Sequence, residues 1–202
     1  TEIYTLSLHD ALPIWPWCWP RNYIVEPLLV AGKFERVKRF CNYWLKCQRS
    51  DGSWLHCYDV RDYSEYPGWP ETDNVGYMLW HFCKYVEASS DCQWLNDNFN
   101  AVNRAADFLL SKYNPVMNLI WGQEESNVPG KDKISIRYSL HINCVCALGL
   151  YSASKMASIA EREDLAEKYG SLADTILKKG IEKKLWDSNE NVFSYGFTED
   201  GQ

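Results

Sequence analysis

The chain has 202 residues, a formal net charge of −6 at pH 7, and 10 Trp, 13 Tyr and 7 Phe. Apolar residues make up 46% and charged residues 24%, which excludes a disordered or fibrous chain. The acidic balance argues against a nucleic-acid partner, because neutralising phosphates needs a basic face. No apolar run approaches the roughly 18 residues of a membrane span, so no membrane partner is expected.

Residues 1–14, TEIYTLSLHDALPI, look like the in-frame translation of a sequencing adapter. They are set aside as foreign to the fold and expected to pack poorly against it. Helical periodicity dominates the rest of the chain. A first helix is predicted over 22–31, with Pro27 in its first turn or at a kink and Gly32 ending it. A second covers 34–48, where Phe34, Val37, Phe40, Cys41, Trp44 and Leu45 share one face. After a loop with extended pieces come a third helix over 73–87 and a fourth over 92–112. Between them Ser89-Ser90-Asp91 supplies an N-cap. A long loop over 113–133 precedes a fifth helix over 139–161. A sixth covers 164–184, interrupted by Gly170 and Gly180. The last residues read as a turn at 189–191 and a strand over 192–197.

The helices pair, and each pair ends in turn formers followed by an extended run with an aromatic residue. Trp54, Trp121 and Phe193 mark these places, a degenerate repeat of about 70 residues. The predicted fold is all-α, with three helical hairpins and short β-turn segments at one end, where function usually collects.

Eight cysteines are present and none forms a C-x-x-C pair, so a zinc ribbon or redox pair is not expected. Four lie in apolar helical runs and read as small buried hydrophobes. Unpaired thiols weakly favour a cytoplasmic setting. Asp59, Asp62 and Asp73 lack EF-hand spacing, and no metal or cofactor motif stands out.

The loops at the shared end hold the chemistry. Arg21 and Asn22 stand at the first helix entrance beside several Trp, where Arg offers a forked donor to hydroxyls or a carboxylate. Trp54 follows an Asp-Gly turn and would share a strand face with His56; it packs in the core or stacks on a ligand. Trp69, in a Pro/Gly loop, fits a ligand wall. Asp73 is a first-turn acid or a pocket residue. Glu124 and Glu125 follow Trp121. A carboxyl with its pKa raised by an aromatic neighbour suits general-acid work on a glycosidic oxygen, whereas a solvated acid pair is the plainer reading. Tyr138 and His141 open the fifth helix as candidate donors, although His141 on an apolar helix also fits the core.

Taken in order, these segments resemble the six-hairpin (α/α)6 glycosidases, particularly the glucoamylase-like family. Trp19-Pro20-Arg21-Asn22 stands for its W-x-R-D motif. The stretch LLVAGKFERVKRFCNYWLKCQRSDGSWLHCYDV (28–60) matches a family helix and turn. Glu71-Thr72-Asp73 matches a helix entrance, 121–125 the acid loop, and 138–157 an inner helix. The resemblance implies a glycoside hydrolase that cleaves α-glucosidic bonds in an oligosaccharide by general acid/base chemistry with inversion. Glu124 or Glu125 would be the acid. Arg21, Asn22, Trp54, Trp69, Asp73, Trp121, Tyr138 and His141 would bind sugar, without metal or cofactor. Asn22 replaces the family Asp, and Gly122-Gln123 interrupt the W-E-E run. Six hairpins need roughly 400 residues. Residues 15–202 are therefore expected to be the N-terminal-side half of such a catalytic domain, inactive alone and without the catalytic base; the oligomeric state is open. Trehalases, disaccharide phosphorylases and unsaturated-uronyl hydrolases share the architecture, and a non-catalytic sugar-binding scaffold is a further alternative.

Overall fold

A computed structural model describes residues 17–18, 23–65, 70–122 and 138–197. Residues 1–14 lie outside them, so their expected poor packing has no structural counterpart. Six helices carry the fold: α1 (Val25–Val30), α2 (Phe34–Cys47), α3 (Thr72–Ser89), α4 (Cys92–Ser111), α5 (Leu140–Ile159) and α6 (Glu163–Thr175). The last continues as a π-helical stretch, Ile176–Leu185. The strands are two residues each: β1 (Trp17–Cys18), β2 (Tyr58–Asp59), β3 (Tyr113–Asn114), β4 (Leu119–Ile120), β5 (Tyr138–Ser139), β6 (Trp186–Asp187), β7 (Val192–Phe193) and β8 (Gly196–Phe197). They pair antiparallel as β1–β2, β3–β4, β5–β8 and β6–β7.

Local chemistry sets the helix ends. Helix α3 stops where Ser90 enters the left-handed region (φ 58°), its N–H bonding Val86 C=O. Asp91 then caps α4 by accepting from the Trp94 N–H at 3.0 Å. Ser139 does the same for α5, its Oγ accepting from the Ile142 N–H at 3.1 Å. Helix α1 is shorter than expected, and Pro27 sits in its first turn, where its missing N–H costs no intrahelical bond.

The odd helices pack on one another in chain order, α1 on α3 and α3 on α5. The even ones lie behind them: α2 on α1 and α3, α4 on α3 and α5, α6 on α5. This is the inner-and-outer layering of an (α/α)6 toroid, present here as three helical hairpins. Helices α3 and α5 run parallel at close approach. A Cβ on Gly149 would stand 2.6 Å from Gly76 Cα, and one on Gly76 2.5 Å from Val145 O. Only glycine fits either place.

The repeat is sharper than the sequence pattern suggested. In the third hairpin's terminal segment Trp186 pairs with Phe193 and Asp187 with Val192. In the second, Tyr113 pairs with Ile120 and Asn114 with Leu119. The same offset relates Asn118 (φ 56°) to Asn191 (φ 55°), and Gly76 to Gly149. Ile120, not Trp121, is therefore the counterpart of Phe193. Asn114 and Asp187 each turn a side-chain oxygen onto the N–H groups of the following turn, so both turns have one length and one register.

Trp44, Trp54, Tyr58, Tyr85, Tyr169 and Phe82 are fully buried in one continuous core. Helix α5 is long and apolar enough to cross a bilayer by length and composition, contrary to the reading of the apolar runs, but 61% of its apolar stretch is buried inside the molecule. Among the described residues seven cysteines are free thiols. Cys144 is exposed rather than buried, and Cys146 lies in the core.

Candidate functional site

The loops after α2 and α4 return the chain to the N-termini of α3 and α5, which lie side by side. Gly122 is wedged there: a Cβ on it would meet Thr72 Cβ, Thr72 Oγ1 and Ile142 Cδ1, each at 2.9 Å. The root of the loop that carries Glu124 and Glu125 is thus seated on the first residue of α3, beside Asp73. The Asp73 carboxylate is buried in the first helical turn, where the positive end of the helix dipole favours a negative charge. Its charge adds to burial in pushing the Cys146 thiol well up. Cys146 Sγ lies 3.6 Å from Thr72 O, a contact between the two inner helices.

Glu71, one residue before α3, is buried and engaged. Its Oε1 lies 2.7 Å from His56 Nδ1, and its Oε2 accepts from Asn74 Nδ2 at 3.0 Å. Asn74 Nδ2 also bonds Leu55 C=O at 3.0 Å, and the Glu71 N–H reaches Trp54 C=O at 3.2 Å. His56, Glu71 and Asn74 together fasten the loop over 54–56 to the mouth of α3. The nearby Cys57 thiol is pushed up to about 11 by burial and then by the Glu71 charge.

On the other side of the mouth three rings from the three inner-helix entrances meet. Tyr23 Oη lies 3.4 Å from Tyr77 Oη, and Tyr77 Oη lies 3.2 Å from His141 Nε2. Tyr23 and His141 are exposed, whereas Tyr77 is buried. Tyr23 directly follows Asn22, and Pro70 directly follows Trp69. Pro70 is bridged to Leu55.

The expected site residues therefore fall into three groups. Asp73, Trp121 and His141 stand at the shared mouth. Trp121 is half-buried, with Lys112 Nζ 5.2 Å from its ring centroid. Trp54 and Tyr138 are not pocket residues. Trp54 is fully buried and its indole donates to Trp44 C=O at 2.8 Å. Tyr138 is buried in β5, its hydroxyl accepting from Asn114 Nδ2 at 2.8 Å. Each has its polar atom satisfied inside the fold, which makes it a packing residue. Arg21, Asn22, Trp69, Glu124 and Glu125 lie outside the described residues. Tyr77 and Glu71 are not among the site residues read from the sequence: Glu71 reads only as part of the helix entrance 71–73, and Tyr77 has no local motif, its partner His141 lying 64 residues further along the chain.

Among the described residues no group of three His, Cys, Asp or Glu side chains comes together as a metal site. Asp59 is instead held by Arg61 through two nitrogens, and Asp62 accepts from the Ser64 N–H.

The fold defines the class of architecture: a helical-hairpin toroid of the (α/α)6 kind, present as three hairpins. No family model matches the chain. It is 25% identical over 193 residues to an uncharacterized glycosyl hydrolase of Methanocaldococcus jannaschii, a match that covers 93% of this chain and 29% of that protein. Among solved structures it is similar to a family 78 rhamnosidase of Bacillus sp. GL1, with TM-score 0.74 and 16% identity. That match covers 92% of this chain and 19% of the rhamnosidase. It is also similar to a bacterial glucoamylase complexed with acarbose, with TM-score 0.63 and 17% identity, over 90% of this chain and 24% of that one. The chain thus spans less than a third of each of these three proteins.

Proposed function

We propose that this chain is the N-terminal-side half of a glycoside hydrolase catalytic domain, inactive without its other half. The likeness to a glycosyl hydrolase over 93% of the chain supports a hydrolase parent. The observation that carries the site is Gly122 seated against Thr72. This seats residue 122 against the first turn of α3 beside buried Asp73, and this supports reading the residues that follow it as the acid loop.

Glu124 or Glu125 acts as general acid on the leaving glycosidic oxygen, desolvated beside Trp121. Arg21, Asn22, Asp73 and His141 bind hydroxyls of the sugar, and Trp69 and Trp121 wall the pocket. The base lies in the other half of the toroid and directs water to the opposite face, giving inversion at an α-glucosidic bond.

A second substrate reading, rhamnosidic bonds, draws on the fold likeness to the rhamnosidase. The test is to express the full reading frame and assay maltooligosaccharides and aryl α-rhamnosides with Glu124→Gln and Glu125→Gln variants. One variant is expected to lose about 10²–10⁴-fold in rate. If both keep full activity, the acid assignment is wrong. Sugar binding without turnover on either substrate class would support the non-catalytic scaffold instead.

A further inference from the structure

We infer that the β6–β7 hairpin is a docking surface for one more helical hairpin of the same polypeptide, whose inner helix clamps the Phe193 backbone with a first-turn asparagine. The inference rests on the internal repeat and on the half-toroid reading proposed above, but not on the assignment of the acid.

The earlier copy of this unit is covered. In β3–β4, Leu119 and Ile120 are 0% exposed. Asn143, in the first turns of α5, brackets Ile120: its Oδ1 accepts from the Ile120 N–H at 2.6 Å and its Nδ2 donates to Ile120 C=O at 3.1 Å. The π-helical stretch closes the other side. Gly180 lies so near Asn118 that a Cβ would stand 2.2 Å from its carbonyl oxygen, and Lys184 Nζ donates to Val116 C=O at 2.9 Å.

The later copy has the same backbone. Trp121 N–H bonds Lys112 C=O at 2.8 Å, and Ser194 N–H bonds Leu185 C=O at 2.7 Å. Hydrogen-bonded and open pairs alternate along an antiparallel ladder. Tyr113–Ile120 and Trp186–Phe193 are therefore both open pairs, and the N–H and C=O of Ile120 and Phe193 point out of their hairpins. Yet Val192 is 53% and Phe193 45% exposed, with Trp186 at 38% packed edge-on against Phe193. Among the described residues no side chain brackets Phe193 as Asn143 brackets Ile120.

An apolar pair, an outward N–H and C=O, and Asn191 in the same left-handed conformation as Asn118 form one surface, shaped for the unit that seats on its earlier copy. Each of the three proteins compared is more than three times as long as its matched part, so each has chain outside the match, long enough to supply a further hairpin. A second copy of the chain is the rival occupant.

The experiment is amide hydrogen exchange on the protein encoded by the uninterrupted reading frame, with its sequence. The Phe193 amide is expected to exchange within ~10-fold of Ile120, independently of protein concentration. The following inner helix should carry an asparagine in its first turns, and its change to alanine should release the Phe193 amide by more than ~10-fold while leaving Ile120 protected. Four outcomes overturn the proposal: faster exchange at Phe193, protection lost on dilution as a dimer dissociates, no such asparagine, or a reading frame that stops at Gln202.

Discussion

Asp91 shows how one side chain joins three elements. Its carboxylate caps α4, accepts from Tyr85 Oη at 2.7 Å, and pairs with Lys38 on α2 at 2.7 Å. The Lys38 ammonium first, then the Tyr85 hydroxyl and the Trp94 N–H, hold its pKa down at about 2. The folded-state value lies below the unfolded one of about 3.9. Asp91 therefore contributes stability fully above about pH 4, and that contribution is lost as pH falls toward about 2. An Asp91→Asn variant is expected to melt lower at neutral pH and to have a flatter acid limb, measured as melting temperature against pH. The cap itself was legible, because Ser-Ser-Asp is a local signal. The Lys38 and Tyr85 partners were not, since nothing in the local sequence ties residue 91 to residue 38. Tyr77 repeats the lesson at the mouth. Removing its hydroxyl with Tyr77→Phe takes a hydrogen bond from His141. If His141 binds sugar, the full-length enzyme should lose about 2–10-fold in kcat/KM, with folding unchanged by circular dichroism. Unaltered kinetics would remove His141 from the site.

The helices themselves were largely readable, because burial on one face imposes a periodicity that a single stretch displays. Bounds for α2 to α5 fall within two residues of the pattern. The exceptions are α1, which begins only at Val25, and the sixth helix, which turns π-helical from Ile176 to Leu185. The pattern placed Gly180 as an interruption, but its reason is a partner more than 60 residues earlier, the Asn118–Leu119 turn that lies against it. The run over 192–197 reads as a strand and holds β7 and β8, but the pairing of the two-residue strands escapes the pattern, since two residues carry no period. What fixes β4 is the Asn143 amide on α5. Asn143→Ala would leave the Ile120 N–H and C=O buried without partners, and also takes a bond from Ser139 C=O. The expected cost is about 1–3 kcal/mol, read from denaturant melts, with the Ile120 amide exchanging faster than those of α3. Loss of stability without local exchange at Ile120 would assign Asn143 a different role.

At the scale of the whole molecule, the mouth exists because three inner helices reach it at fixed spacing. That spacing is set deep in the core by Gly76 against Gly149, and it carries Thr72, Gly122, Tyr77 and His141 with it. The hairpin count and the all-α toroid were legible in the sequence; this crossing was not, since isolated glycines in helical runs read only as weak points. Adding a methyl group at Gly149 meets backbone on the facing helix at 2.6 and 2.8 Å, which cannot rotate away. Adding one at Gly170 on outer α6 meets only Ser154 Oγ at 3.0 Å, the end of a side chain. Gly149→Ala is therefore expected to cost about 1–3 kcal/mol and to lower any glycosidase activity of the full-length protein by moving α3 and α5 apart at the mouth. Gly170→Ala is expected to be neutral or to stabilise by up to about 1 kcal/mol, because alanine is the better helix former. Paired thermal melts and rate assays separate the two effects. Equal melting of both variants would show that the inner crossing does not set the spacing. A destabilised Gly149→Ala enzyme with full activity per folded molecule would show that the mouth tolerates the shift.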